Sequence, residues 1–383
     1  IINIICVENN SMNQNDIILK DILESMSRGF LQLLRSDGST ADPVTRIADY
    51  RPVGEIAKGL LYLGHHLEAE RCFGWLMKQQ KTNGSWHEII HIGFDEENTL
   101  STAVIGKCFL DAYVKNGKKE YLATAEKALA YVRGREFTPG HFVKAYGHYS
   151  DILNVNAACA AFFHAYLSLK KNPEIAAVLA RSIYNIVRFQ FKDGAFPYTR
   201  FERAFPYEDH LNVRDLYYHA LTCYYLSLAD PRLENHYINL ASQKALPWLA
   251  NTLASGSPRW RESKVIFTVG AMGFYGYAAY CFQHSQQEEK VGLCLRQLKR
   301  FQQSSGLFSR YEPPRLFDSL LGMAGEIIEL ETIAPTGYSL GTRLFRLRRR
   351  LAHDVKTRRK QQVSLFYSAQ IYNALTECLA ERR

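Results

Sequence analysis

The sequence predicts an all-α protein, an α/α toroid (barrel) of six or seven helical hairpins, and three observations predict it. A glycine turn recurs every roughly 45–60 residues along the chain. Amphipathic helical runs alternate with runs that are apolar on nearly all sides. One polar cluster, Tyr-x-Asp-x-Leu-Asn-Val, opens two of the apolar runs, at Tyr149 and again at Tyr207.

The turns read RSDGST (35–40), KTNGSWHE (81–88), FTPGHF (137–142), FKDGAFPY (191–198), ASGSPRW (254–260) and SSGLFSRY (304–311). Asp-Gly and Asn-Gly favour turns because glycine accepts positive φ without steric cost. The helices that follow are expected to begin near Pro52, Asn98, Leu153, Asn212, Thr268 and Asp318, with a seventh candidate near Ser364.

Residues 54–67 (GEIAKGLLYLGHHL), 123–132 (ATAEKALAYV) and 176–191 (AAVLARSIYNIVRFQF) return apolar side chains at three- and four-residue intervals, which is helical spacing. They read as outer, amphipathic helices. Their partners, such as NAACAAFFHAYLSL (156–169), must be buried on every side. Apolar alternate helices favour closure into a ring, because an open array leaves one side of its inner layer wet. The domain plan is an N-terminal extension, 1–17, and a single toroid domain, 18–383.

Composition narrows the class. The chain has 383 residues, 47% of them hydrophobic, enough for a large core. No apolar run reaches the roughly 20 residues that span a bilayer. The opening IINIICVENNS lacks a positive flank and a cleavage pattern, so it reads poorly as a signal peptide, and Met12 is one candidate start. Eight cysteines are scattered, with no CxxC. Most fall in helical stretches, where a buried thiol acts as a small hydrophobe, and the pattern suits a reducing, cytoplasmic setting.

The formal net charge is +9, and much of it is local: Arg343 to Lys360 carries nine Lys or Arg and one Asp. That stripe suits peripheral contact with an anionic membrane or a polyanion, or else a solvated helical face. Only one aromatic residue, Phe345, falls within it, so no specific nucleic-acid partner is expected. His87 and His91, and His65 and His66 with Glu68 and Glu70, match no trusted ligand pattern, and no metal or cofactor is expected. Phosphate-cradling glycine motifs and the serine-hydrolase GxSxG are absent from the sequence.

In a ring of hairpins, one rim gathers the loops that lead into the inner helices, and such loops are where sites are built. They carry Asp49, Arg51 and Glu55; Trp86 and Asp95; His148, Asp151 and Asn154; Arg200, Tyr207, Asp209, His210, Asn212 and Arg214; Trp260 and Arg261; and Tyr311, Arg315 and Asp318. Asp209 is the leading candidate acid or base, helped by His210 or Tyr207, with Asp95 and Asp318 as further acids. Carboxylates on different hairpins can face one another, one held protonated while its partner stays charged. Arg200 and Arg214 are suited to a substrate carboxylate or phosphate, and Arg200 or Arg261 to developing negative charge. The aromatic residues offer flat faces to sugar rings, to isoprenoid chains or to the core. Asp151, Asp209, Asn154 and Asn212 sit where a side chain also caps a helix.

KQQKTNGSWHE (78–88), RFQFKDGAFPY (188–198) and RFQQSSGLFSRY (300–311) resemble the Gln-x-x-x-Gly-x-aromatic turns of the α/α-toroid superfamily. That superfamily includes terpenoid cyclases, protein prenyltransferase beta subunits and helical-barrel carbohydrate enzymes. The resemblance spans roughly residues 18–380. The cyclases' Asp-x-Asp-Asp and Asp-Asp-x-x-Asp strings are absent here. The carbohydrate branch uses scattered Asp, His, Tyr and Arg residues. The resemblance therefore implies an enzyme acting on an acidic or neutral glycan in a central cavity, by hydrolysis or elimination. The alternatives are a terpenoid cyclase or prenyltransferase-like enzyme, and a non-enzymatic toroid that binds a protein or lipid partner.

Overall fold

The computed structural model describes residues 13–88, 96–144, 152–198, 216–230, 232, 234–254, 272–309 and 362–382. These form twelve helices that alternate between two layers. The outer layer is α1 (Gln14–Leu33), α3 (His66–Gln79), α5 (Lys119–Arg133), α7 (Pro173–Val187), α9 (His236–Ala254) and α11 (Glu288–Phe301). The inner layer is α2 (Tyr50–Tyr62), α4 (Thr99–Asn116), α6 (Leu153–Leu167), α8 (Leu216–Ala229), α10 (Gly273–His284) and α12 (Leu365–Glu381). Each inner helix packs on the next, and α12 packs back onto α2, which closes the ring. Helix α1 begins upstream of the boundary expected at residue 18 and lies against α12 and α11, so the first helix covers the last.

The chain ends are clasped chemically. Arg382 bonds both carboxylate oxygens of Glu288 at 2.9 Å, pairs with Asp16, and donates from Nε to Gln283 at 2.7 Å. Asn15 reaches Glu288 from α1 at 3.0 Å.

Six inner helices close the ring among the described residues. The helix expected near Ser364 is the sixth of them, α12. The one expected near Asp318 lies outside the described residues, as do the starts expected at Asn212 and Thr268; α8 and α10 are described from Leu216 and Gly273. Residues 54–67 correct the expectation of an outer helix. Helix α2 is inner and buried along nearly its whole length, Arg51, Glu55 and Lys58 included. Its amphipathic pattern reflects charges paired inside the ring rather than a wet face.

The repeated turns are built one way. Gln80 donates to the carbonyls of Gly84 and Thr124, both at 3.0 Å, and Gln190 to those of Gly194 and Ala241, both at 2.8 Å. Gln302 does the same to Gly306 at 2.8 Å and Ile22 at 3.3 Å. Each glutamine thus ties its own turn to the next outer helix. The aromatic residue two after the glycine donates its backbone N–H to an inner-helix side chain. These bonds are Trp86 to Thr102 Oγ1 at 3.0 Å, Phe142 to Asn156 Oδ1 at 2.8 Å, Phe196 to His219 Nδ1 at 2.8 Å and Phe308 to Ser368 Oγ at 3.0 Å. The turn motif is therefore architectural.

Gly194 has φ +96°, and a Cβ there would sit 2.2 Å from the carbonyl oxygen of Lys244. Gly194→Ala is expected to destabilise the chain by about 1–3 kcal/mol, through strain at positive φ and the backbone clash. A lower urea midpoint at unchanged slope checks this.

Short strands brace the leading loops. β1 (His87–Glu88) pairs antiparallel with β2 (Glu96–Glu97), and β3 (Glu136–Thr138) with β4 (His141–Phe142). Ser309 and Val363 form an isolated antiparallel bridge, so the chain leaves and returns at one point before α12. Seven cysteines, Cys72 to Cys378, are described; all are buried and unpaired. No described helix is long and apolar enough to cross a membrane.

Candidate active site

The leading ends of α2, α4, α6, α8 and α12 converge on a cavity of about 30 Å³. Arg51, Asn154, Tyr217, Tyr218, Tyr367 and Gln370 reach it from the inner helices, and Glu88, Lys144 and Tyr198 from the turns. The turns are stitched to the helices they cover. The Lys144 carbonyl accepts from Thr99 N–H at 2.8 Å, and the Tyr198 carbonyl from Leu153 N–H at 3.0 Å.

Arg51 is 2% exposed and lies in the first turn of α2. Its Nε donates to Glu55 at 3.1 Å and its Nη2 to the Tyr225 hydroxyl at 3.2 Å, while its guanidinium lies 5.2 Å from the Phe366 ring centre. Burial works against its charge, yet Glu55 and the neighbouring tyrosines hold its pKa well above the ordinary value. Burial pushes the Glu55 carboxyl up, opposed by the Arg51 guanidinium. Glu55 lies one turn below the cavity and acts on it through Arg51.

Four tyrosines border the cavity. Tyr198 and Tyr218 have ring centres 4.2 Å apart, and Tyr217 and Tyr218 5.1 Å. Tyr217 donates its hydroxyl to Gln370 Oε1. Burial holds the Tyr217 and Tyr225 hydroxyls well above their ordinary pKa, so at neutral pH they are uncharged donors, not bases.

Below the cavity the lumen is packed. Tyr224, Tyr225, Tyr277 and Tyr280 contact one another with ring centres 5.0–5.2 Å apart around Tyr224. Farther along, Lys58 donates to Asn373 Oδ1 at 2.9 Å and pairs with Glu377 and, at 3.3 Å, with Asp111. Lys107 bridges Asp111 at 2.8 Å and Glu377 at 3.0 Å. Among the described residues the central cavity is thus a small bowl at the leading end, with tyrosines and an ion pair beneath it and two lysines and two carboxylates at the trailing end.

The sequence candidates divide accordingly. Arg51 and Asn154 line the cavity. Asp49, just before α2, is buried at 2% exposure and does not cap α2 with its side chain. Trp86 is fully buried, donates its indole N–H to the Leu76 carbonyl at 2.9 Å and stacks on Phe109, as a wall residue does. Asn154 does not cap α6; no side chain does. Asp95, His148, Asp151, Arg200, Tyr207, Asp209, His210, Asn212, Arg214, Trp260, Arg261, Tyr311, Arg315 and Asp318 lie outside the described residues, as does the Arg343 to Lys360 stripe. The sequence reading missed Gln370, Tyr217, Tyr218, Glu88 and Lys144. A polar residue within an otherwise apolar inner helix was the available signal for Gln370. His219, also unremarked in the sequence, is held neutral, its pKa pushed down to about 3 by burial.

No protein-family model matches this sequence, and no curated protein matches it. Solved structures do. An α-amylase from Clostridium perfringens superposes with TM-score 0.63 at 12% identity, over 93% of this chain and 97% of that one. The fold is the α/α toroid. An unsaturated glucuronyl hydrolase specific for heparin gives TM-score 0.63 at 13% identity over 96% and 98% of the two chains. An α-1,6-mannanase from Salegentibacter sp. gives 0.63 at 10% identity over 95% and 100%. The likeness covers nearly the whole toroid while sharing few residues, as expected when packing and turn geometry, rather than particular side chains, define an architecture.

Proposed function

We propose that the chain is a carbohydrate-active enzyme, a glycoside hydrolase or polysaccharide lyase-like protein, that binds a glycan over the bowl at the leading ends of the inner helices. The composition of the bowl carries this reading. Arg51, Glu88, Lys144, Asn154 and Gln370 meet four tyrosines there. Sugar rings present hydroxyls to polar groups and flat C–H faces to aromatic rings, so both halves of that lining have a use. An isoprenoid chain would leave Asn154 Oδ1 and Gln370 Nε2 enclosed without a partner. The toroidal neighbours named as an amylase, a glucuronyl hydrolase and a mannanase support the same class.

In this reading Asp209 is the acid or base, aided by His210 or Tyr207. Asp95 and Asp318 are its candidate partners, and Arg200 and Arg214 bind a substrate carboxylate or phosphate. Segment 199–215 supports the assignment because Tyr198 and Tyr217, on either side of it, both border the bowl. A cytoplasmic setting and peripheral membrane contact through Arg343 to Lys360 belong to the same proposal.

The test is a substrate screen of wild-type protein against uronate, α-glucan and α-mannan oligosaccharides alongside prenyl diphosphates. Turnover of a glycan alone is expected. Turnover of a prenyl diphosphate alone, or of nothing while a protein or lipid partner binds, would replace this reading with one of the other two.

A further inference from the structure

We propose that Arg51, Asn154 and Gln370 form a pocket that reads one hydroxyl group of the bound sugar. This rests on the carbohydrate reading and assigns three residues within it as determinants of specificity. All three side chains are at most 2% exposed and line the same cavity. Two of them end in unused hydrogen-bonding atoms. Asn154 Oδ1 is fully enclosed and has no partner, and so is Gln370 Nε2, although Gln370 Oε1 accepts from the Tyr217 hydroxyl. Arg51 commits Nε to Glu55 and Nη2 to Tyr225, which leaves Nη1 without a hydrogen bond among the described residues. Enclosed polar atoms without partners are rare in folded proteins, because each loses its hydration with nothing in return. Asn154 and Gln370 also line one cavity, where a polar occupant would give each a partner.

The size and polarity of the cavity define that occupant. About 30 Å³ holds roughly one water molecule or one hydroxyl. Asn154 Oδ1 requires a donor, while Gln370 Nε2 and Arg51 Nη1 require an acceptor. A hydroxyl is both at once. A carboxylate oxygen cannot donate to Asn154, and a C–H group satisfies neither side. A substrate hydroxyl fills the role. A site built this way rejects a sugar that lacks the hydroxyl more strongly than an apolar pocket rejects a missing methylene. The Glu55 carboxylate beneath Arg51 keeps the guanidinium in place and is a positioning residue.

The probe set is methyl α-D-glucoside, methyl α-D-mannoside and methyl β-D-glucuronoside, with the singly deoxygenated derivatives of each. Side-chain amide resonances of Asn154 and Gln370 are assigned by their loss in Asn154→Leu and Gln370→Met, and followed on titration. At least one glycoside is expected to shift both amides. Removing one particular hydroxyl is expected to weaken binding to wild type about 100-fold or more. In Gln370→Met the same deoxy sugar should bind within about threefold of its parent. The proposal is overturned if no glycoside shifts either amide, or if every deoxy sugar binds wild type within about threefold of its parent. The wild-type series decides the matter even if a variant fails to fold. Turnover of the same panel is scored separately. Binding without turnover removes the enzyme reading and keeps the pocket; turnover with both amides undisturbed does the reverse.

Discussion

Lys58→Met will lower stability by about 3 kcal/mol, far more than any surface charge substitution in this chain. Lys58 is 1% exposed and meets Asn373, Glu377 and Asp111 inside the ring. Removing one partner of a buried ion pair leaves the other charge enclosed and undercompensated, at about 3–5 kcal/mol. Lys107 still faces Glu377, which places the effect at the lower end. The control is Lys118→Met, which removes a pair with Glu70 whose members are 35% and 41% exposed, and is expected to cost under about 1 kcal/mol. Chemical denaturation of the two variants against wild type reads the difference.

The same cluster sets a pH window. Burial works against the Glu377 carboxylate, but Lys107 and Lys58 draw its pKa down to about 2 from its ordinary 4.5. A carboxyl with a lowered folded-state pKa stabilises fully above its unfolded value. Its contribution is present above about 4.5 and is lost as pH falls toward 2. Lys107 is held above its ordinary 10.5 by Asp111 and Glu377 against burial, so its contribution is present below that value and is lost as pH rises beyond it. Wild-type stability is therefore expected to decline on acidification from pH 4.5, and Glu377→Gln to flatten that limb. A limb of equal slope in the variant would remove Glu377 from the account.

Asp209→Asn is expected to reduce turnover of the glycan identified by the screen by about 10²–10⁴-fold, the usual contribution of a positioned acid or base. Stability should be nearly unchanged. Asn keeps the size and one acceptor of Asp, so a capping role would survive the substitution while proton transfer would not. Equal turnover by wild type and variant on every substrate would remove Asp209 from the chemistry. Asp95→Asn and Asp318→Asn, assayed beside it, identify the partnering carboxylate.

The architecture was legible in the sequence because its devices are local. Gln80, Gln190 and Gln302 each stand four residues before a turn glycine, and that spacing is what lets one amide bond both the turn and the next helix. Asn154 stood out because its cluster recurs at Tyr207; it lines the bowl and does not cap α6. Gln370 and Lys58 were not legible, because their meaning depends on partners more than a hundred residues away. Lys58 finds Asn373 and Glu377 only when α12 closes on α2, and Gln370 meets Tyr217 only across the ring. Trp86 shows the converse. An aromatic residue beside a turn glycine looks available for a ligand, yet its indole is held by the Leu76 carbonyl in the wall.

Glycan binding is expected where the inner helices begin. Hydrogen–deuterium exchange of the protein with and without its oligosaccharide substrate tests this directly. Protection is predicted in peptides covering 49–55, 152–156, 216–221 and 365–370, with none near Tyr62, Asn116 or Glu381 at the opposite end. Protection confined to that opposite end, or spread evenly over the outer helices, would contradict it.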